Sequence, residues 1–164
     1  MILFTADSSK DFMAKLLLSD AFDAFCLQEA SAVTSVSYSI SGRIHRDFYS
    51  EDELEEVTGE FIPWSEIRPK FFELIKGKNL PLSLKMTLSL KDDAMNALLQ
   101  KESPEGHSSA LKAFVINIRF ENGAVNIITG TSYDSFVPDR SEEKIWDRAF
   151  AQFLTSKDIS YSIS

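Results

Sequence analysis

Cations and small hydroxyls are the residues of this chain best suited to chemistry, and both come in clusters. Residues 68–85, RPKFFELIKGKNLPLSLK, hold five bases and one acid, Glu73, in a chain of 164 residues with a formal net charge of −8. Residues 129–132, TGTS, set three hydroxyls around Gly130 at the end of a strand-like run. Guanidinium and ammonium groups beside hydroxyl donors suit a carboxylate or a phosphate. The anion-binding candidates are therefore Arg68, Lys76, Lys78, Lys85, Thr129, Thr131 and Ser132. Each has a plainer explanation. Residues 47–66 hold eight acids and no base, so the basic window can answer acids of its own chain. Arg68 then becomes half of a structural ion pair, Thr129 and Thr131 become ordinary strand residues, and Gly130 makes room for a large neighbour. Lys85 resists this explanation, because Ser83, Thr87 and Ser89 share its face of a strand.

Other chemistries find less support. Two histidines, His45 and His107, and one cysteine, Cys26, are scattered and give no metal-ligand spacing. The run SEDELEE lacks the glycine and the alternation of a calcium loop and reads as a solvated acidic face. Cys26 lies between Phe25 and Leu27, which predicts a small buried hydrophobe rather than a nucleophile. IKGK lacks the upstream glycine and the following Ser or Thr of a phosphate loop, so Gly77 is expected to end a helix. No GxSxG elbow and no cofactor motif is present. Neither a catalytic set nor a cofactor is expected.

The elements that must carry these residues alternate between helices and hairpins. SSKDFMAKLLLS repeats Phe12, Met13, Leu16 and Leu17 on one helical face. Thr34, Val36, Tyr38 and Ile40 alternate with serines, and a turn at Ser41–Arg43 is expected to pair Ile40 with Ile44 and Val36 with Phe48. Ser50 and Glu53 have capping-box spacing. Trp64, Ile67, Phe71 and Leu74 recur as in a helix, but Pro69 disfavours helix at Arg68. Either one helix carries Arg68 between Phe72 and Ile75, or a helix begins near Pro69 with Arg68 at its entrance. LPLSLKMTLSL reads as a strand, DDAMNALLQ as a short helix and KESPEGHSSA as a polar loop. KAFVINIRF and AVNIITGTS flank Asn122-Gly123, the strongest hairpin signal in the chain. A last helix carries Ile145, Trp146, Phe150 and Leu154, and Ile159, Tyr161 and Ile163 close with a strand. The expected fold is a single α+β domain over residues 1–164, with a mainly antiparallel sheet and about four helices.

The segments SKDFMAKLL, SDAFDAF, WSEIRP, FFELIKGK, NIRF, TGTSYDSF and Trp146-Asp147 resemble a family of short proteins from anaerobic Gram-positive bacteria, catalogued as a domain of unknown function. The resemblance runs over nearly the whole chain; it implies one compact domain and brings no activity. A looser likeness, of fold order only, is to one module of a DNA sliding clamp. The first functional reading is a non-catalytic binding or regulatory module, its partner an unknown protein or a small anionic ligand. The second is an enzyme acting on a small phosphorylated or carboxylated metabolite. The third, a nucleic-acid-associated clamp-like module, is opposed by the net charge. One cysteine, no signal-like start and no membrane-length apolar run point to the cytoplasm and away from membranes.

Overall fold

A computed structural model describes residues 1–164 as five α-helices and eight strands in one sheet. β1 (Leu3–Ala6) leads into α1 (Ser9–Leu18), whose N-terminus is capped by the Ser8 hydroxyl accepting from the Asp11 N–H. β2 (Phe25–Val33) and β3 (Ser37–Ser41) form a hairpin closed at Thr34–Val36. The chain then leaves the sheet through a 3-10 turn (Arg46–Phe48) and the one-turn helix α2 (Glu51–Leu54), which has the expected Ser50–Glu53 capping box. It returns in β4 (Ile62–Pro63), which pairs with β2 beyond the end of β3. α3 (Trp64–Ile75), β5 (Ser83–Leu90), α4 (Asp92–Glu102), β6 (Leu111–Glu121), β7 (Ala124–Tyr133), α5 (Glu142–Ser156) and β8 (Tyr161–Ile163) complete the fold. No helix is long and apolar enough to cross a membrane.

The strand order is β3-β2-β5-β6-β7-β1-β8, with every pairing antiparallel. The β6–β7 hairpin turns at Asn122 (φ 52°) and Gly123 (φ 76°), as a type I′ turn requires, and pairs Phe120 with Val125, Ile118 with Ile127 and Ile116 with Thr129. Those residues belong to a single core. Phe12 and Leu16 of α1, Trp64 and Phe71 of α3, Met95 and Leu99 of α4, and Trp146 and Phe150 of α5 are buried against one face of the sheet. Trp146 stacks on Phe114 with ring centroids 5.3 Å apart, and its indole N–H donates to the Val115 carbonyl.

The other face carries polar rows. Ser39, Ser31, Lys85, Arg119, Asn126, Thr5 and Ser162 stand in register across seven strands. Their period-2 partners supply the core, which is why this face is polar.

Two expectations, the strand pairing and the role of Gly77, needed correction, and of the two alternatives at Pro69 the single helix is the one found. β2 replaces the expected pairing of Ile40 with Ile44 and of Val36 with Phe48; Arg43 makes only an isolated bridge to Phe61. Pro69 sits inside α3, so the helix runs unbroken through Arg68. Gly77 takes no left-handed conformation: α3 ends at Ile75 with the Lys76 N–H donating to the Phe72 carbonyl.

Candidate functional site

The residues expected to form one anion site fall in separate places. Arg68, largely buried on α3, bonds Asp23 in the segment before β2, not an acid of the 47–66 run. Lys76, just past the end of α3, bonds Glu73 in the last turn of that helix at 2.9 Å, and both are exposed. Lys78 lies exposed in the loop after α3. Lys85 stands opposite Arg119 on the polar face, with Glu29 and Glu121 diagonal to it.

Thr129 and Thr131 point to the opposite face from Lys85, because strand parity places them in line with Val125 and Ile127 under α5. Thr129 is fully buried; it donates to Asp147 and accepts from the Ile2 N–H at 2.9 Å. Thr131 bonds Glu143 at 3.2 Å. Two strand residues span about 6.6 Å and four helix residues about 6 Å, so this threonine pair and the Glu143–Asp147 pair match in step. These hydroxyls serve carboxylates of their own chain. Gly130 meets Val115: a Cβ there would stand 3.2 Å from a Val115 methyl. Ser132 alone of the seven candidates lines a hollow at one end of the sheet.

That hollow is a groove of about 870 Å³ where the polar face meets the top of the sheet. Cys26, Ser89, Ala113 and Ser132 line it from the strands. One wall is the returning excursion, with Arg43, Thr58, Gly59, Glu60 and Phe61; Lys112 of β6 reaches Glu60 as well. The other wall is the β5–α4 junction, with Lys91, Asp92 and Asp93.

Local irregularities build this end of the sheet. Both register breaks border the groove, one leaving Gln28 unpaired between Leu27 and Glu29, the other leaving Lys112 unpaired between Leu111 and Ala113. Gly42 supports the first break. A Cβ at Gly42 would stand 1.8 Å from the Leu27 carbonyl oxygen, so only glycine allows the two backbones to approach.

The charges on the walls are balanced. Glu60 is bonded by Arg43 and lies 3.7 Å from Lys112, and these two cations hold its carboxyl below the usual range. Lys91, Asp92 and Asp93 line the facing wall. Cys26 is half-buried rather than buried, because alternation sends Phe25 and Leu27 to the core and turns the thiol outward. Burial still pushes the thiol's pKa up; Lys91 pulls the other way, and Asp92 and Asp93 offset that pull. A thiol so held is mostly protonated at neutral pH.

Sequence reasoning passed over Arg43, Glu60, Lys91 and Lys112. The one available signal was the Lys91-Asp92-Asp93 cluster at a strand-to-helix junction. Nothing in the sequence announces that Arg43 and Lys112, far apart in the chain, share Glu60.

No curated protein and no solved structure matches this chain. A family model described as a family of unknown function, DUF5721, matches residues 15–162. With all but the ends of the domain inside that match, the chain belongs to the DUF5721 family.

Proposed function

We propose that this protein is a non-catalytic binding module and that its ligand is a short polypeptide segment carrying charges of both signs, held in the groove above the polar sheet face. The observation that carries this reading is the balance of the walls: Arg43, Lys112 and Lys91 face the same space as Glu60, Asp92 and Asp93. A lining of equal and opposite charge favours a ligand with both signs over a simple anion. Hydroxyl and amide groups of Ser89, Ser132 and Gln28 add donors and acceptors on the floor, and the volume falls in the range of ligand-binding clefts. Cys26, with its raised pKa, suits contact better than nucleophilic attack.

The small anionic ligand expected from the sequence is retained as a second reading, now at the groove. Ser132 and the Lys91 ammonium would supply its donors. A cytoplasmic setting goes with both readings, from the single thiol.

Calorimetric titration with a blocked peptide bearing one basic and one acidic side chain tests the first reading, with inorganic phosphate as the parallel arm. Peptide binding weakened about tenfold in both Arg43→Gln and Lys91→Gln supports it, the loss of about 1.4 kcal/mol expected of one charged contact. Phosphate binding without peptide binding would favour the anion reading. Peptide affinity unchanged by either substitution would contradict the first.

A further inference from the structure

β3 is an edge of the sheet that carries none of the usual protection. It bonds β2 on one side and no strand on the other. In this hairpin the inward backbone groups belong to even-numbered residues: the Thr34 N–H donates to the Val36 carbonyl and the Gly42 N–H to the Gln28 carbonyl, each at 2.8 Å, with Ile40 opposite Ala30 and Tyr38 opposite Ala32. Antiparallel alternation therefore turns the N–H and C=O of Ser37, Ser39 and Ser41 outward. Protected edges carry a lysine, a proline, a bulge or a covering element. The strand SYSIS has no charge, no proline and no bulge, and its three serines are exposed.

We infer that β3 is a self-association edge, pairing antiparallel with β3 of a second copy about a two-fold axis through Ser39. The strand is a palindrome in polarity about that residue. With Ser39 opposite Ser39, Ser37 opposes Ser41, and all three outward N–H groups of each strand meet carbonyls of the other. A slip of two residues in either direction leaves outward groups of each strand unpaired. In the symmetric register Tyr38 opposes Ile40 of the partner at the closely spaced, non-hydrogen-bonded positions, an aromatic and β-branched contact that covers two half-buried side chains. Charge points to the same occupant. Two chains of net −8 repel except where they touch through an uncharged strip, and a charged foreign strand would find no counter-charge on SYSIS. The two sheets then continue as one, with both polar faces on the same side.

Sedimentation equilibrium and amide hydrogen exchange test this on the whole chain. Between about 10 µM and 1 mM protein, the mass should rise to twice that of the chain. The Ser39 and Ser41 amides should become protected in step with it, while Tyr38 and Ile40, already bonded to β2, stay protected throughout. Ser39→Lys and Ser39→Glu each place like charges across the axis on a solvent-facing position. Each variant alone should remain monomeric, and an equimolar mixture should recover the doubled mass. A wild type that stays monomeric to 1 mM would overturn the inference. So would a dimer whose Ser39 amide exchanges freely, or single variants that associate as well as the wild type.

Discussion

At the scale of single residues, the candidate anion ligands are explained by the carboxylates beside them. Arg68 is the clearest case, since its guanidinium bonds Asp23 and is largely shielded from water. Arg68→Met should lower stability by about 1–2 kcal/mol, below the usual cost of breaking a buried pair because Asp23 stays partly solvated. Thermal melts should give the same loss with and without phosphate; a loss visible only in phosphate would make Arg68 an anion ligand. Glu142 is the chain's buried carboxylate, accepting from the Ser108 N–H at 2.7 Å and from the Tyr133 hydroxyl at 3.2 Å. Burial pushes its pKa up, but bonds from Ser108, its own N–H and Tyr133 outweigh that and leave it below the usual range. A lowered folded-state pKa contributes stability that is present above the unfolded value, about 4.3, and lost as pH falls through the folded value. The wild type should therefore lose melting temperature on acidification below about pH 5 more steeply than Glu142→Gln. Parallel pH profiles for the two proteins would contradict this. Period-2 alternation along AVNIITGTS puts Thr129 and Thr131 on the same face as Val125 and Ile127. The alternation does not contain the helix lying on that face, so neither the anion-ligand reading nor the ordinary-strand reading of these hydroxyls named Glu143 and Asp147 as their partners.

At the scale of elements, legibility followed local signal. The β6–β7 hairpin was readable because Asn122-Gly123 fixes a turn and the flanking apolar residues fix its register. The helices α1 and α5 were readable from one apolar stripe each. β2 was missed because FCLQEASAV has a single β-branched residue and an irregular polarity pattern. It is a strand by virtue of its neighbours β3 and β5, a case of tertiary context overriding propensity. Gly42 shows the same dependence on context. Gly42→Ala should cost about 3 kcal/mol or more, since the obstacle is the Leu27 backbone carbonyl, which cannot turn aside. Gly130→Ala should cost within about 1 kcal/mol, because its obstacle is a Val115 methyl that needs to yield only a few tenths of an ångström. Chemical denaturation of the two variants gives the comparison; equal costs would mean that the close approach at Gly42 is not structurally required.

At the scale of the molecule, the single α+β domain and its antiparallel sheet were legible from the succession of elements, but the strand order was not. Placing β1 between β7 and β8, and β2 between β3 and β5, depends on contacts between segments distant in the chain. That order decides which side chains share the groove. The basic window of residues 68–85 is consequently spread over a helix, a loop and the polar sheet face, while the groove draws its charges from residues 43, 60, 91–93 and 112. The most direct measurement of the groove's role is the amide spectrum of isotope-labelled protein during titration with the mixed-charge peptide. Saturable shifts should concentrate at Gln28, Gly59, Ser89, Lys91, Ala113 and Ser132 and leave Lys76, Lys78 and the β6–β7 turn unchanged. Shifts confined to residues 76–85, or none up to about 1 mM peptide, would contradict the assignment of the groove as the binding site.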